Sequence, residues 1–193
     1  VINDDMPFLV DSIAATFAAQ GLTIGRLVHP VVSVTRDADG YLTAIGKGER
    51  RESMVYLETD RADARRRKAL AAALEETLGE VRRAVADWPK LQARMAEDAA
   101  RLDGEGAELL HWLKGGMLTQ LGHAVRHRDG SHSDRLGICK SAAQNLLGEP
   151  SYKRAFQWFD KGRDRMLLVI KSNRIARVHR RVPQPRSAPQ PVR

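Results

Sequence analysis

Apolar positions recur along this chain in two different periods, and each switch between them marks an element boundary. Leu9, Ile13 and Phe17 step by four after Asp5-Met6-Pro7, the spacing of one helix face, and Gly21 supplies the stop. This pattern predicts a capped helix, with Asp5 accepting first-turn N–H groups and Pro7 in the first turn. Residues 22–35 turn β-rich, with Val28, Val32 and Val34 on one face around Pro30, which predicts an edge or a bulge near that proline. Asp37-Ala38-Asp39-Gly40 is a turn signal between Val34 and Tyr41, so a hairpin is expected there. A charged, glycine-containing loop over 46–52 then leads into a further strand, Met54-Val55-Tyr56-Leu57.

The period becomes helical from 61 to 102, where Leu70, Leu74, Leu78, Val81, Val85 and Trp88 recur at three or four. Pro89 should end or kink this run, giving a second helix over 90–102. A third follows over 105–114, before Gly115-Gly116. Short strands are expected at 117–127 and 136–140, a helix at 151–159, and a hairpin of 166–172 with 175–182 around Asn173. The stretch 183–193 holds four prolines and is expected to lack regular structure. No internal repeat is present.

The chain has 193 residues, 42% hydrophobic and 29% charged, which falls in the range of folded globular chains. No apolar run approaches the roughly 18 residues that cross a bilayer. Cys139 is the single cysteine and cannot form an internal bridge, so a reducing, cytoplasmic setting is expected. The chain opens inside an apolar run that leads straight into a helix start, and reads as an internal piece of a longer protein. The net charge is +8, but residues 171–193 carry seven Lys and Arg with no acid, so the body is close to neutral and the tail basic.

The candidate chemistry is sparse. Gly46-Lys47-Gly48 and Gly104-Glu105-Gly106 each lack the third glycine of a dinucleotide loop. His123, His127 and His132 are the nearest approach to a metal cluster, yet the glycines and strand-like composition around them favour solvated histidines, and no metal is expected. Cys139 reads as a buried small residue rather than a reactive thiol, and Trp88, Trp112 and Trp158 as core packing on apolar helix faces. Lys171, Arg174, Arg177, Arg180 and Arg181 form a basic stripe without interleaved aromatics, expected to be a solvated or interdomain face and not a nucleic-acid site. The most informative stretch is Asp4-Asp5-Met6-Pro7-Phe8-Leu9-Val10-Asp11-Ser12, a strand end, a turn and a helix start. It has two readings: plain helix capping, or a ligand site at the Asp5, Met6, Pro7 and Phe8 turn, where exposed N–H groups of the helix entry receive a small ligand's carboxylate.

Asp5-x-Pro7-x-Leu9, a helix ending at Gly21 and the strands that follow resemble the first part of an ACT domain, the βαββαβ amino-acid-sensing module. The same stretch, with His29-Pro30-Val31, Arg36-Asp37-Ala38-Asp39-Gly40, Ala86-Asp87-Trp88-Pro89, Trp158-Phe159, Lys171-Ser172-Asn173-Arg174 and Val178-His179-Arg180-Arg181-Val182-Pro183, is similar to the N-terminal region of large bacterial NAD-specific glutamate dehydrogenases. The match runs in order over about residues 1–183. The resemblance implies an α+β fold: an ACT-like, ferredoxin-like βαββα module with an antiparallel sheet over 1–88, its N-terminal strand truncated. A helical connector over 89–104, a small mixed PAS-like α/β module over 105–183, incomplete, and a disordered tail over 184–193 complete it. It implies a homo-oligomeric parent enzyme that oxidises L-glutamate to 2-oxoglutarate and ammonia with NAD. The catalytic and cofactor residues of such an enzyme lie downstream, leaving this chain with no catalytic residue and no cofactor. Its implied partners are the downstream domains of the same chain, other subunits, and a candidate amino-acid effector at Asp5, Met6, Pro7 and Phe8, with neither nucleic acid nor membrane. Phe8 departs from the glycine that amino-acid-binding ACT domains carry there, the resemblance stops after Pro183, and the helical spacing at Val81 and Val85 falls where the template has a strand.

Overall fold

The computed structural model describes residues 1–141, 147–163 and 165–170. The predicted hairpin partner at 175–182, the basic stripe and the proline-rich tail lie outside those residues.

The chain forms β1 (Ile2–Asp4), α1 (Leu9–Ala19), β2 (Ile24–Val28), β3 (Val31–Arg36), β4 (Leu42–Ile45), β5 (Arg50–Met54), β6 (Tyr56–Thr59) and α2 (Ala64–Ala86). Next come α3 (Trp88–Ala99), α4 (Glu105–Trp112), β7 (Gly122–Arg126), β8 (His132–Gly137) and α5 (Glu149–Phe159). All strand pairs are antiparallel. One sheet has the order β1-β5-β3-β4, while β2 pairs with β6 and β7 with β8. Pro30 explains why β2 and β3 are separate. It has no N–H to offer the ladder, and the chain bends there opposite Val55, with Met54 N donating to the Pro30 carbonyl at 2.9 Å. The two arms β2–β3 and β6–β5 are thus one bent ribbon flanked by β1 and β4.

Alternation decides which sheet face carries the helices. Asn3, Ser53 and Val31 are register partners on one side, and Arg82 of α2 reaches Asn3 Oδ1 from that side at 2.6 Å. Val55 and Leu57 continue this face and close over Ile13, Phe17 and Leu22, with Leu70, Leu74 and Leu78 from α2. A second cluster joins Leu9, Val81, Ala84 and Ile138, with Met6, Phe8, Leu78, Val85, Leu121 and Cys139 packed around it. Leu9 comes from α1, Val81 and Ala84 from α2, and Ile138 from the helical turn Ile138–Lys140 that follows β8. The core therefore runs continuously from the first helix pair into the β7–β8 hairpin.

The sequence expectations are corrected at several places. Val81 and Val85 are helical, within α2, as their spacing predicts. Pro89 sits in the first turn of α3, where a missing N–H costs nothing. The expected loop over 46–52 yields early to β5 at Arg50, because Arg50, Arg51 and Glu52 pair with Val34, Ser33 and Val32. The expected strand 136–140 ends at Gly137, whose φ of +58° and ψ of −134° turn the backbone into a helical turn. The expected strand 117–127 shortens to β7: Met117 closes the wide turn Leu113–Met117, and 118–121 lie in no regular element. Residues 166–170 lie outside any strand, for no described segment pairs with them. Asp5 does not cap α1: the residue before the helix is Phe8, and no side chain caps there. Pro7 and Phe8 place Asp5 too far upstream, and its carboxylate is engaged elsewhere.

Candidate functional site

The Asp5-Met6-Pro7-Phe8 turn joins β1 to α1. Asp5 N donates to the Arg51 carbonyl at 3.0 Å, and Asp5 Oδ1 accepts from Ser53 Oγ at 2.8 Å. Arg51 stands 3.8 Å from the other carboxylate oxygen. Next to it, Asp4 pairs with Arg50 at 2.7 Å. The turn's acidic side chains are thus tied back to β5. Phe8 takes φ +71° and ψ −3°, the left-handed region that costs an L residue about 1–2 kcal/mol and that glycine enters freely. The benzyl group compensates by packing, with Met6, onto the Leu9–Val81–Ala84–Ile138 cluster. Phe8 thus holds a glycine-like backbone while its ring occupies the space beside the helix start. Asp11 lies in the first turn of α1, so an incoming carboxylate meets a negative charge as well as the helix N-terminus.

A second concentration of polar chemistry lies where α2, α3 and β8 meet. Asp87 closes α2 and precedes α3, and it is 3% exposed. Its Oδ2 accepts the Gly137 N–H at 2.8 Å and the Lys140 ammonium at 2.6 Å. Burial by itself pushes this carboxyl up, but Lys140 and the Gly137 N–H outweigh it and leave Asp87 below the usual aspartate range. Ala86-Asp87-Trp88-Pro89, singled out in the sequence, is thus a latch: the aspartate ties the hairpin to the helix junction 50 residues upstream. Sequence reasoning missed this partnership because Gly137 offers only a backbone N–H.

In the sheet, Glu52 is 2% exposed and accepts both Nε and Nη2 of Arg36 at 2.7 Å, with Arg50 Nε at 3.1 Å. Those hydrogen bonds hold its carboxyl below the ordinary range against the opposing pull of burial. Arg36 also donates to the Gly40 carbonyl at 2.8 Å, fastening the Asp37–Gly40 turn. This group is a structural brace.

The three histidines do not converge. His123 lies 3.8 Å from Asp98 and 3.9 Å from Asp134, His127 shares a hydrogen bond with Ser133 at 2.7 Å, and His132 sits against Arg126 and Tyr152. Among the described residues no group of three His, Cys, Asp or Glu side chains could hold a metal ion. Cys139 is only partly buried, packed beside the second cluster, and that burial pushes its thiol up with only a partial counter-pull from Arg135. The tryptophans correct the sequence reading. Trp88 is 38% exposed and Trp112 59%. Trp88 fits the periodicity of α2, but α2 ends at Ala86 and the new axis of α3 swings it outward. Trp112 lies on α4, which buries none of its residues. Trp158 is half-buried, edge-on to Phe159 and beneath the Arg163 guanidinium. Among the described residues no helix is long and apolar enough to cross a membrane.

A bent antiparallel ribbon with β1 at its side and two helices on one face defines an α+β module with antiparallel sheets, and an Asp-x-Pro turn feeds its first helix. Residues 1–74 match the family model described as "Glutamate dehydrogenase, ACT1 domain". These residues are similar to the ACT1 domain region of NAD-specific glutamate dehydrogenases, the resemblance their motifs carry. Two curated relatives bear the name NAD-specific glutamate dehydrogenase. The one from Pseudomonas aeruginosa is 38% identical over 141 aligned positions, covering 64% of this chain and 9% of the relative. The one from Halomonas elongata is 27% identical over 210 aligned positions, covering 93% of this chain and 13% of the relative. The chain thus spans about a tenth of the length of these relatives. No solved structure matches it significantly.

Proposed function

We propose that this chain is a non-catalytic regulatory and assembly part of a larger NAD-specific glutamate dehydrogenase, a cytoplasmic homo-oligomer that converts L-glutamate, NAD and water to 2-oxoglutarate, ammonia and NADH. The observation that carries this reading is the shared core, in which Met6, Phe8 and Leu9 of the Asp-x-Pro segment pack with Val81 and Ala84 against Ile138 of the later hairpin. A turn spent on joining one folded unit to the next acts mechanically. It holds the ACT-like module of residues 1–88 and the PAS-like module of 105–183 in one fixed relation, through the connector 89–104. The downstream catalytic domains and neighbouring subunits are the partners such a unit would align, and NAD belongs to those domains. Asp5, Met6, Pro7 and Phe8 form the family's effector position, but the Phe8 ring and Asp11 make this copy a poor receptor for an amino acid's carboxylate. The purified chain should therefore form no NADH from glutamate and NAD. In the parent enzyme, Ile138→Asp should lower the assembled fraction in sedimentation velocity and reduce activity in proportion. Protein-dependent NADH formation by the chain alone would refute the reading, as would a parent variant that stays fully assembled and active.

A further inference from the structure

The β7–β8 hairpin sets Arg126 and His132 opposite each other as register partners, so both side chains stand on one face of the ribbon. Against that face lies α5, none of whose own residues is fully buried. Two arginines of the hairpin seat it. Near the N-terminal end of α5, Arg126 donates to Glu149 at 2.5 Å and lays its guanidinium over the Tyr152 ring, 4.6 Å from the centroid. At the other end, Arg128 pairs with Asp160 and lies over the Phe156 ring at 5.0 Å.

His132 makes the first of these attachments sensitive to acid. Arg126 Nη1 lies 3.3 Å from His132 Nδ1 and 3.4 Å from Nε2, and the imidazole meets Tyr152 edge-on with 6.3 Å between centroids. A neutral imidazole keeps one bare nitrogen that accepts the arginine N–H, whereas an imidazolium has two N–H groups and nothing to accept with. Protonation therefore turns a hydrogen bond into two cations 3.3 Å apart. The charged and titratable groups facing His132 are Arg126 and His127 from the first arm of the hairpin, Arg135 from β8, and Glu149 and Tyr152 from α5. Burial first, then Arg126 and Arg135, hold the imidazole below its ordinary range; Glu149 pulls the other way, but Arg126 already occupies it. The Asp160 end responds differently. Arg128 holds that carboxyl below the usual aspartate range, so the pair stays ionised in mild acid.

We propose that Arg126, His132, Glu149 and Tyr152 form an acid-released clasp: with His132 neutral the N-terminal end of α5 is held on the β7–β8 hairpin, and protonation of His132 frees that end while Arg128 and Asp160 retain the other. The device lies outside the Asp5–Phe8 turn and does not depend on the regulatory reading of the chain. Because the seated form disfavours the proton, seating is complete above the ordinary histidine pKa of about 6.5 and weakens as pH falls below it.

The test is an NMR titration of the whole chain, labelled with ¹³C and ¹⁵N, from about pH 7.5 to about pH 5 at constant salt. His132 Cε1–H should titrate below about 6.5, and the amides of residues 149–153 should move with the same midpoint while those of 157–160 and of β1 to β6 stay in place. Within that window the ratio of seated to released helix end should fall by up to about tenfold per pH unit, the slope of one linked proton. His132→Gln, which keeps an acceptor and takes up no proton, should hold the helix end seated in acid, and His127→Gln should leave the step unchanged. Arg126→Met should show the released amide pattern already at neutral pH. The proposal is overturned by α5 amides that ignore the titration of His132, by a His132 midpoint at or above about 6.5, or by a seated pattern in Arg126→Met. An acid step that persists in His132→Gln would also overturn it, assigning the step to another group.

Discussion

Replacing Ile138 with alanine tests whether the two ends of the described chain share one cooperative core. Ile138 is 3% exposed and meets Leu9, Val81 and Ala84, residues drawn from α1 and α2 far upstream. Trimming it removes buried carbons worth roughly 2.4 kcal/mol at about 0.8 kcal/mol per methylene. The cavity left behind brings the expected loss to about 3–4 kcal/mol, since a turn fixed by Gly137 and by the Lys140–Asp87 pair cannot collapse freely into it. For a chain of this size, that lowers the melting temperature by about 6–15 °C. The assay is thermal and urea denaturation followed in parallel by far-ultraviolet circular dichroism and tryptophan fluorescence, Trp88 reporting from the helix junction itself. Both probes should move together to lower stability, while Ile45→Ala, at a side chain 61% exposed, should change it by less than about 0.5 kcal/mol. A loss below about 1 kcal/mol for Ile138→Ala would refute the reasoning. So would fluorescence and dichroism transitions that separate, because α1 and α2 would then be standing without the hairpin.

Three further outcomes follow from the same contacts. Phe8→Ala loses the ring's packing and keeps the left-handed strain, whereas Phe8→Gly loses only the packing, so the glycine variant should be the more stable of the two by about 1 kcal/mol in chemical denaturation. Gly137→Ala should destabilise by about 3 kcal/mol or more, since its Cβ would lie 2.1 Å from the Leu121 carbonyl oxygen at a φ only glycine tolerates well; a melting temperature within a few degrees of the parent's would show that the end of β8 relaxes away from Leu121. Asp87 is held below its unfolded pKa, so its stabilisation is present above about pH 4 and is lost as pH falls through the lower folded value. Lys140→Met should remove about 1–3 kcal/mol at neutral pH, and Asp87→Asn should flatten the acid limb of stability against pH; an unchanged acid limb in Asp87→Asn would assign that limb to other carboxylates.

The local vocabulary of this fold was legible in the sequence. The four-residue steps of Leu9, Ile13 and Phe17, the Asp37–Gly40 turn, the break at Pro30 and the restart at Pro89 depend on dihedral preferences and on side chains a few residues apart. Spacing at Val81 and Val85 likewise carried the helix over the template's strand. Tertiary structure alone decided the rest. Asp5 has the right side chain for a cap, but Ser53 and Arg51, nearly 50 residues away, take its carboxylate, and Phe8 occupies the capping position with a backbone angle no propensity scale would give it. Trp88 obeys the apolar stripe of α2 and still faces outward, because the helix axis changes at Asp87. Asp87 itself looks like an ordinary junction residue until Gly137 and Lys140 arrive across 50 residues of chain to neutralise it. Periodicity and turn chemistry are properties of neighbouring residues, so one sequence suffices to read them. Which carboxylate is buried, and against which cation, depends on segments brought together only when the core closes.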